Sequence, residues 1–132
     1  EQIDELGILQ ATFAAMIAAV NGLCDQFAAA QMPRPAHALV DGNLLPPDMP
    51  LPATSLIKGD SRSVSVAAAS IIAKTTRDQL MCDLDTVYPG YGWASNKGYG
   101  TKLHQAGLER FGITPHHRKS FKPIRRYLNG SD

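Results

Sequence analysis

Two aspartates stand where the chain could hold a cation. Asp41 closes the short apolar run "ALVD", and Gly42 and Asn43 follow at once. That puts a carboxylate at the C-terminal end of a predicted strand, the edge where ligands collect in α/β sheets. The same Asp-Gly-Asn triplet is also ordinary turn chemistry. Asp78 lies in the middle of a predicted long helix, one turn after Lys74 and close to an Ala-rich surface. It reads either as half of an exposed i,i+4 ion pair or as a carboxylate beside a packed face, where a cation must offset its charge. Two such carboxylates could share a Mg²⁺ site, because that ion prefers oxygen ligands. The chemistry of such sites is metal-assisted phosphodiester hydrolysis, although two aspartates seldom suffice for it.

Polar residues around these two could meet a phosphate. "IKGDSR" sets Lys58, Ser61 and Arg62 just after a second predicted strand, at the same sheet edge; the alternative is a polar loop with an Asp60–Arg62 surface pair. "NKGYG" holds Lys97 and Tyr99 between glycines, an arrangement suited to stacking on a sugar or base. Tyr99 could equally cover part of a core. "HHRKSF" reads as a phosphate clamp that includes Arg118 and Ser120, and two adjacent histidines rarely turn toward one zinc ion.

The elements that must position these groups follow from periodicity. Ile3, Leu6, Leu9, Phe13, Met16, Ile17 and Val20 form one helical stripe, with Asp4 as its cap and Asn21-Gly22 as its stop. "AHALVD" and "ATSLIKG" read as short strands on either side of the Pro-rich loop "GNLLPPDMPLP". Residues from about Ser63 to Val87 read as a long helix that Tyr88-Pro89-Gly90 ends, with small residues Ala67 to Ser70 suited to close packing on a sheet. "YGWASNKGYG" reads as a glycine-rich loop, followed by a helix over 101–111 and a helical turn after Pro123. Strand, loop, strand and long helix predict an α/β layer. Two short strands are too few for a stable sheet, so they call for partners.

Composition narrows the class. The 132 residues, 44% hydrophobic and 19% charged, can support one domain with a core. The net charge of +1 hides a polarity: from Lys97 to Arg126 eight Lys and Arg residues face one acid, Glu109. Such a block binds a polyanion or forms a solvated basic face. No run reaches the roughly 18 uninterrupted apolar residues of a membrane span. Cys24 and Cys82 have no CxxC spacing and read as reduced thiols in a cytoplasmic protein. The chain does not begin with Met and leads straight into a helix, which predicts an entry point in the middle of a longer protein.

Taken in order, "LVDGN", "IKGDS", "SVAAASIIAKTTRD", "YGWASNKGYGTKLH" and "PHHRKSF" resemble the bacterial ribonuclease HII (type 2 ribonuclease H) family over about Ile3 to Leu128. The resemblance implies a ribonuclease H-like fold, here without its N-terminal antiparallel strands. It implies a single incomplete domain, 1–132, with a core portion over 1–95 and a basic helical portion over 96–132. It implies an endoribonuclease that acts on RNA–DNA hybrids and nicks 5′ to ribonucleotides embedded in duplex DNA, using two Mg²⁺ or Mn²⁺ ions. Asp41 and Asp78 match the third and fourth of the family's four carboxylates. Tyr99 matches the tyrosine near the sugar at the RNA–DNA junction, and the basic tail matches the part that contacts the duplex. Lys58, Asn43, Lys97, Arg118 and Ser120 join the expected substrate contacts by position. The family's Asp-Glu-x-Gly-Arg-Gly segment has no counterpart here. The expectation is the C-terminal two-thirds of an enzyme that is a monomer when complete, with this part inactive alone or serving as a duplex-binding fragment.

Overall fold

A computed structural model describes residues 2–130, and the chain gathers into two compact units, Gln2–Ile71 and the residues from Ile72 onward. The first unit opens with α1 (Gln2–Leu6) and α2 (Ile8–Ala29), separated at Gly7, whose φ of 79° takes it out of the helical region. Asp4 therefore lies inside α1 rather than capping the apolar helix. Asn21-Gly22 does not stop α2 either. A helical glycine costs ~1 kcal/mol relative to alanine, and the good helix formers on both sides carry the helix across it. The stop comes later, where Gln31 turns left-handed at φ 54° ahead of Pro33. By length and composition alone α2 is long and apolar enough to cross a membrane, although Gln10, Asn21, Asp25 and Gln26 interrupt it. Among its described residues only Ala11 is buried.

Strands β1 (Ala38–Asp41) and β2 (Ala53–Leu56) pair in parallel, with Ala38 opposite Ala53 and Asp41 opposite Leu56. Gly42 N–H donates to Leu56 O at 2.9 Å and extends the ladder past Asp41. The Pro-rich connection between the strands makes the parallel crossover. A short 3₁₀ turn, Gly59–Ser61, leads into α3 (Val64–Val87), whose first two turns belong to this unit. Val40, Leu51 and Val66 are its buried apolar residues beside Ala11. The Ala-rich run is not packed as closely as predicted: Ala67 is half-buried, while Ala68, Ala69 and Ser70 are exposed. Among the described residues the sheet has two strands, so no wider sheet face lies against that run.

The second unit contains the rest of α3, then α4 (Trp93–Asn96), α5 (Lys102–Phe111) and α6 (Lys122–Leu128). The short α4 inside "YGWASNKGYG" corrects the loop expectation. Asp85 on α3 accepts the Trp93 N–H at 2.8 Å, which satisfies a free donor at the start of that turn. Tyr91, Trp93, Leu108 and Ile124 form the core, backed by Met81, Leu84 and Tyr88. Gly107 lets α5 approach the chain at Gly90-Tyr91: a Cβ there would sit 2.6 Å from Gly90 O and 3.0 Å from Tyr91 Cα. Gly107→Ala gains ~1 kcal/mol of helix propensity but forces backbone apart, which typically costs ~1–3 kcal/mol or more. A net loss of stability is expected in urea denaturation followed by Trp93 fluorescence; a more stable variant would show that the approach is not tight.

A buried histidine pair completes this core. His117 Nδ1 accepts the Thr114 N–H at 2.9 Å, and the two Nε2 atoms of His104 and His117 are 3.1 Å apart. A backbone N–H can only donate, so neutral His117 carries its proton on Nε2 and gives it to His104 Nε2. His104 must then hold its proton on Nδ1, and that buried atom has no partner among the described residues. This corrects the clamp expectation for "HHRKSF": His117 faces inward and is unavailable to a phosphate, while His116 and Arg118 are exposed. It also rules the pair out as an ordinary metal chelate, because a metal-bound His117 Nε2 would need a proton on Nδ1 where a donor already points.

Candidate functional site

Asp41 is exposed at the end of β1, where the ladder delivers it. Its Oδ1 accepts the Gly59 N–H at 2.7 Å. Gly59 is needed at that spot, since a Cβ would lie 3.3 Å from Asp41 Oδ1 and 3.2 Å from both Leu56 Cβ and Val66 Cγ1. The preceding residue, Lys58, is exposed and left-handed at φ 55°, which bends "IKGDS" back toward the strand end. The reading of Asp41 as a mere turn-former is thus incomplete: the carboxylate organises the next segment and remains open to solvent. Asn43 is also exposed.

Asp78 is on α3, in the second unit, and half-buried. Its Oδ2 accepts from Lys74 Nζ at 2.8 Å, so the i,i+4 pair exists. Its Oδ1 is buried and has no hydrogen-bond partner among the described residues. The Lys74 hydrogen bond is the main influence holding this carboxyl below the usual aspartate range; Lys97 and Arg77 add to it. An ionised oxygen left without a donor is what a hard cation would take up.

The glycine-rich loop lies against this stretch of α3. Asn96 staples the loop internally: its Nδ2 donates to Tyr91 O at 2.7 Å and its Oδ1 accepts the Gly98 N–H at 2.9 Å. Lys97 and Gly98 adopt left-handed φ values of 50° and 83°. Lys97 Nζ reaches Asp78 O at 3.4 Å and Cys82 Sγ at 3.2 Å. The turn leaves Tyr99 pointing out, 69% exposed, which removes the alternative that it covers the core. Arg77 joins helix to loop, donating from Nη2 to Lys97 O at 2.7 Å with its guanidinium 5.7 Å from the Tyr99 ring centre.

Asp78, Lys97 and Tyr99 are therefore brought together, with Arg77 and Asn96 as members that no spacing rule singled out. Asn96 could have been suspected from its place before Lys-Gly, a common setting for an amide that caps a turn. Arg118 lies over the Phe121 ring at 5.0 Å and is exposed, as is Ser120. Asp41, Lys58 and Asn43 belong to the first unit and have their own neighbours. Among the described residues no three His, Cys, Asp or Glu side chains come together as a ready metal site.

A strand-end carboxylate, a helix carboxylate with a bare oxygen, and an exposed tyrosine beside basic groups are features suited to cations and phosphate. Comparison with known proteins gives the chain its class. The family model described as Ribonuclease HII matches residues 1–124. The chain is 53% identical over 130 residues to "Ribonuclease HII" of Jannaschia sp. (strain CCS1), covering 98% of this chain and 61% of that protein. It is 55% identical over 127 residues to the protein of that name from Limosilactobacillus reuteri (strain DSM 20016), covering 96% and 46% respectively. For the one from Ruegeria pomeroyi the values are 52% over 128 residues, 97% and 51%. The chain belongs to the ribonuclease HII family, and it spans about half the length of the curated relatives it matches.

Proposed function

We propose that this chain is part of a metal-dependent endoribonuclease with a ribonuclease H-like fold. The complete protein would cleave the RNA of RNA–DNA hybrids and nick duplex DNA 5′ to an embedded ribonucleotide, acting as a cytoplasmic monomer. The family match over residues 1–124 carries this reading. The bare Asp78 Oδ1 and the solvent-facing Asp41 carboxylate support it as oxygen donors suited to Mg²⁺ or Mn²⁺. In the complete protein, two such ions would activate water and stabilise the leaving oxygen. Tyr99 packs against the sugar beside the scissile bond. Lys58, Asn43, Lys97, Arg118 and Ser120 hold the phosphate backbone and set register without reading sequence.

The remaining carboxylates come from sequence outside these 132 residues, in keeping with the greater length of the relatives. The exposed apolar side chains of α2 and α3, including Ile8, Leu23, Ile71 and Ile72, are where that sequence packs, which favours a covered helix over a membrane span for α2. The chain by itself then binds duplexes through its basic block without cutting them. The deciding experiment mixes it with a polypeptide bearing Asp-Glu-x-Gly-Arg-Gly and a duplex containing one ribonucleotide. Nicking by the mixture and not by the chain is expected, with the chain alone giving duplex binding that weakens steeply as salt rises. A clean nick by the chain alone with Mg²⁺ would overturn its dependence on further carboxylates. Failure of the complete protein to nick with either ion would overturn the nuclease reading.

A further inference from the structure

We propose that the buried hydrogen bond between His104 and His117 positions the Arg118–Ser120 turn for its grip on the duplex phosphates. The inference rests on the reading of Arg118 and Ser120 as phosphate contacts and adds the pair that holds them in place. The two histidines act through that turn rather than on the substrate.

Arg118, Lys119 and Ser120 are exposed, and their turn closes where the Phe121 N–H donates to Arg118 O at 3.0 Å. An exposed turn takes its place from the residues that flank it. On one side, Phe121 is half-buried and packs against the core, a contact that excludes water without fixing direction. On the other side, His117 is buried and bonded at both ring nitrogens. Its Nδ1 accepts the Thr114 N–H at 2.9 Å and lies 3.0 Å from the Thr114 hydroxyl. That contact shapes the segment 114–117 and would travel with it. The Nε2 proton goes instead to His104 Nε2 and ties the segment to α5. The helix is a fixed partner: Thr101 caps its start, Gly107 sits against Gly90-Tyr91, and Leu108 belongs to the core. The rings of Tyr91 and Trp93, each 5.1 Å from that of His117, complete the slot. An inward ring bonded at a set angle, immediately before an outward guanidinium, fixes where Arg118 leaves the surface. Filling this core with two imidazoles is costly, because His104 Nδ1 is buried with no partner among the described residues. Apolar side chains would fill the space without that cost, but they would supply no direction. A turn held in place before the duplex arrives loses less freedom on binding it.

The test uses the complete protein and a duplex with one ribonucleotide, with Kd measured over a range of salt concentrations beside steady-state kinetics. His104→Leu fills the space and removes the acceptor. It is expected to raise Kd and KM by about 10-fold, the effect of one lost hydrogen bond to a charged group. The slope of log Kd against log salt should become shallower by about one. Because the lost contact is one of uniform binding, kcat should stay within about twofold. His104→Gln keeps an oxygen that can accept the His117 proton and should retain most of the affinity. In an Arg118→Ala/Ser120→Ala background, His104→Leu should add nothing, since the pair has nothing left to position. Unchanged Kd, losses that simply add, or a fall in kcat at unchanged KM, the mark of a lost folded fraction, would overturn the proposal. If Arg118→Ala/Ser120→Ala itself binds the duplex at full strength, the phosphate reading of those residues falls, and the role of the pair with it. If that double variant binds poorly while His104→Leu binds normally, only the role of the pair falls. Binding needs no cleavage, so the Kd result stands apart from the nuclease reading.

Discussion

Asp41→Asn and Asp78→Asn, each made in the complete protein, are expected to abolish nicking, with rates down by about 10³-fold or more, or ~4 kcal/mol at 1.36 kcal/mol per factor of ten. The substitutions keep shape and remove charge. At position 41 the asparagine oxygen can still accept the Gly59 N–H, so the strand end and the 3₁₀ turn should survive. At position 78 the loss to stability is the Lys74 pair, and an i,i+4 ion pair contributes only ~0.3–0.5 kcal/mol. That is too little to unfold a helix of 24 residues. A large kinetic loss beside a small stability change therefore separates metal binding from folding. The measurement is single-turnover cleavage with Mg²⁺ and with Mn²⁺, paired with urea denaturation. Activity surviving in either variant would show that its carboxylate is not a ligand.

Acid should begin to destabilise the second unit below pH 6.5, before most carboxylates titrate. Burial, reinforced by the neighbouring His104, pushes His117 down to about 4, and burial lowers His104 as well. A base whose folded pKa lies below its unfolded value near 6.5 leaves the unfolded state holding the extra proton. Stability is thus whole above pH 6.5 and declines as the pH falls toward 4. For His117 alone the loss reaches ~3 kcal/mol at the bottom of that window, and His104 adds to it, the two titrating as a pair. The groups that face the pair are the rings of Tyr91 and Trp93, with His116 contributing a further repulsive charge once protonated. Trp93 is the chain's one tryptophan, and its ring lies 5.1 Å from that of His117, so its fluorescence reports directly on the pair. Urea denaturation at pH 7.5 and pH 5 should show the drop, and His104→Gln should lessen its steepness by removing one of the two titrating rings. Stability that stays level between those pH values would mean the rings are not buried as neutral partners.

Much of the architecture was legible in the sequence because it depends on neighbours along the chain. Short apolar runs placed both strands, and the Pro-rich stretch between them could only be a connection. The helix ending at Val87 was evident from its composition and from Tyr88-Pro89-Gly90. The first helix departs from its local signals at both ends: Asn21-Gly22 is a good stop in isolation, yet the helix formers around it outweigh one glycine, and the break falls instead at Gly7.

The sequence by itself determined which residue types could do chemistry and where along the elements they stand: Asp41 at a strand end, Asp78 on a helix, Tyr99 in a basic glycine-rich turn, and the ordered motifs of the ribonuclease HII family. Only the tertiary structure decided what each of them meets. That Asp78 keeps one oxygen paired with Lys74 and the other bare depends on the rotamer and on the loop laid across α3. That Arg77 reaches a carbonyl 20 residues away, and that His117 turns inward to His104 while His116 faces solvent, are choices among long-range partners. Spacing along a helix or strand is set by backbone geometry and can be read directly from sequence. Pairing across a fold is set by which surfaces exclude water together, and that is a property of the assembled chain.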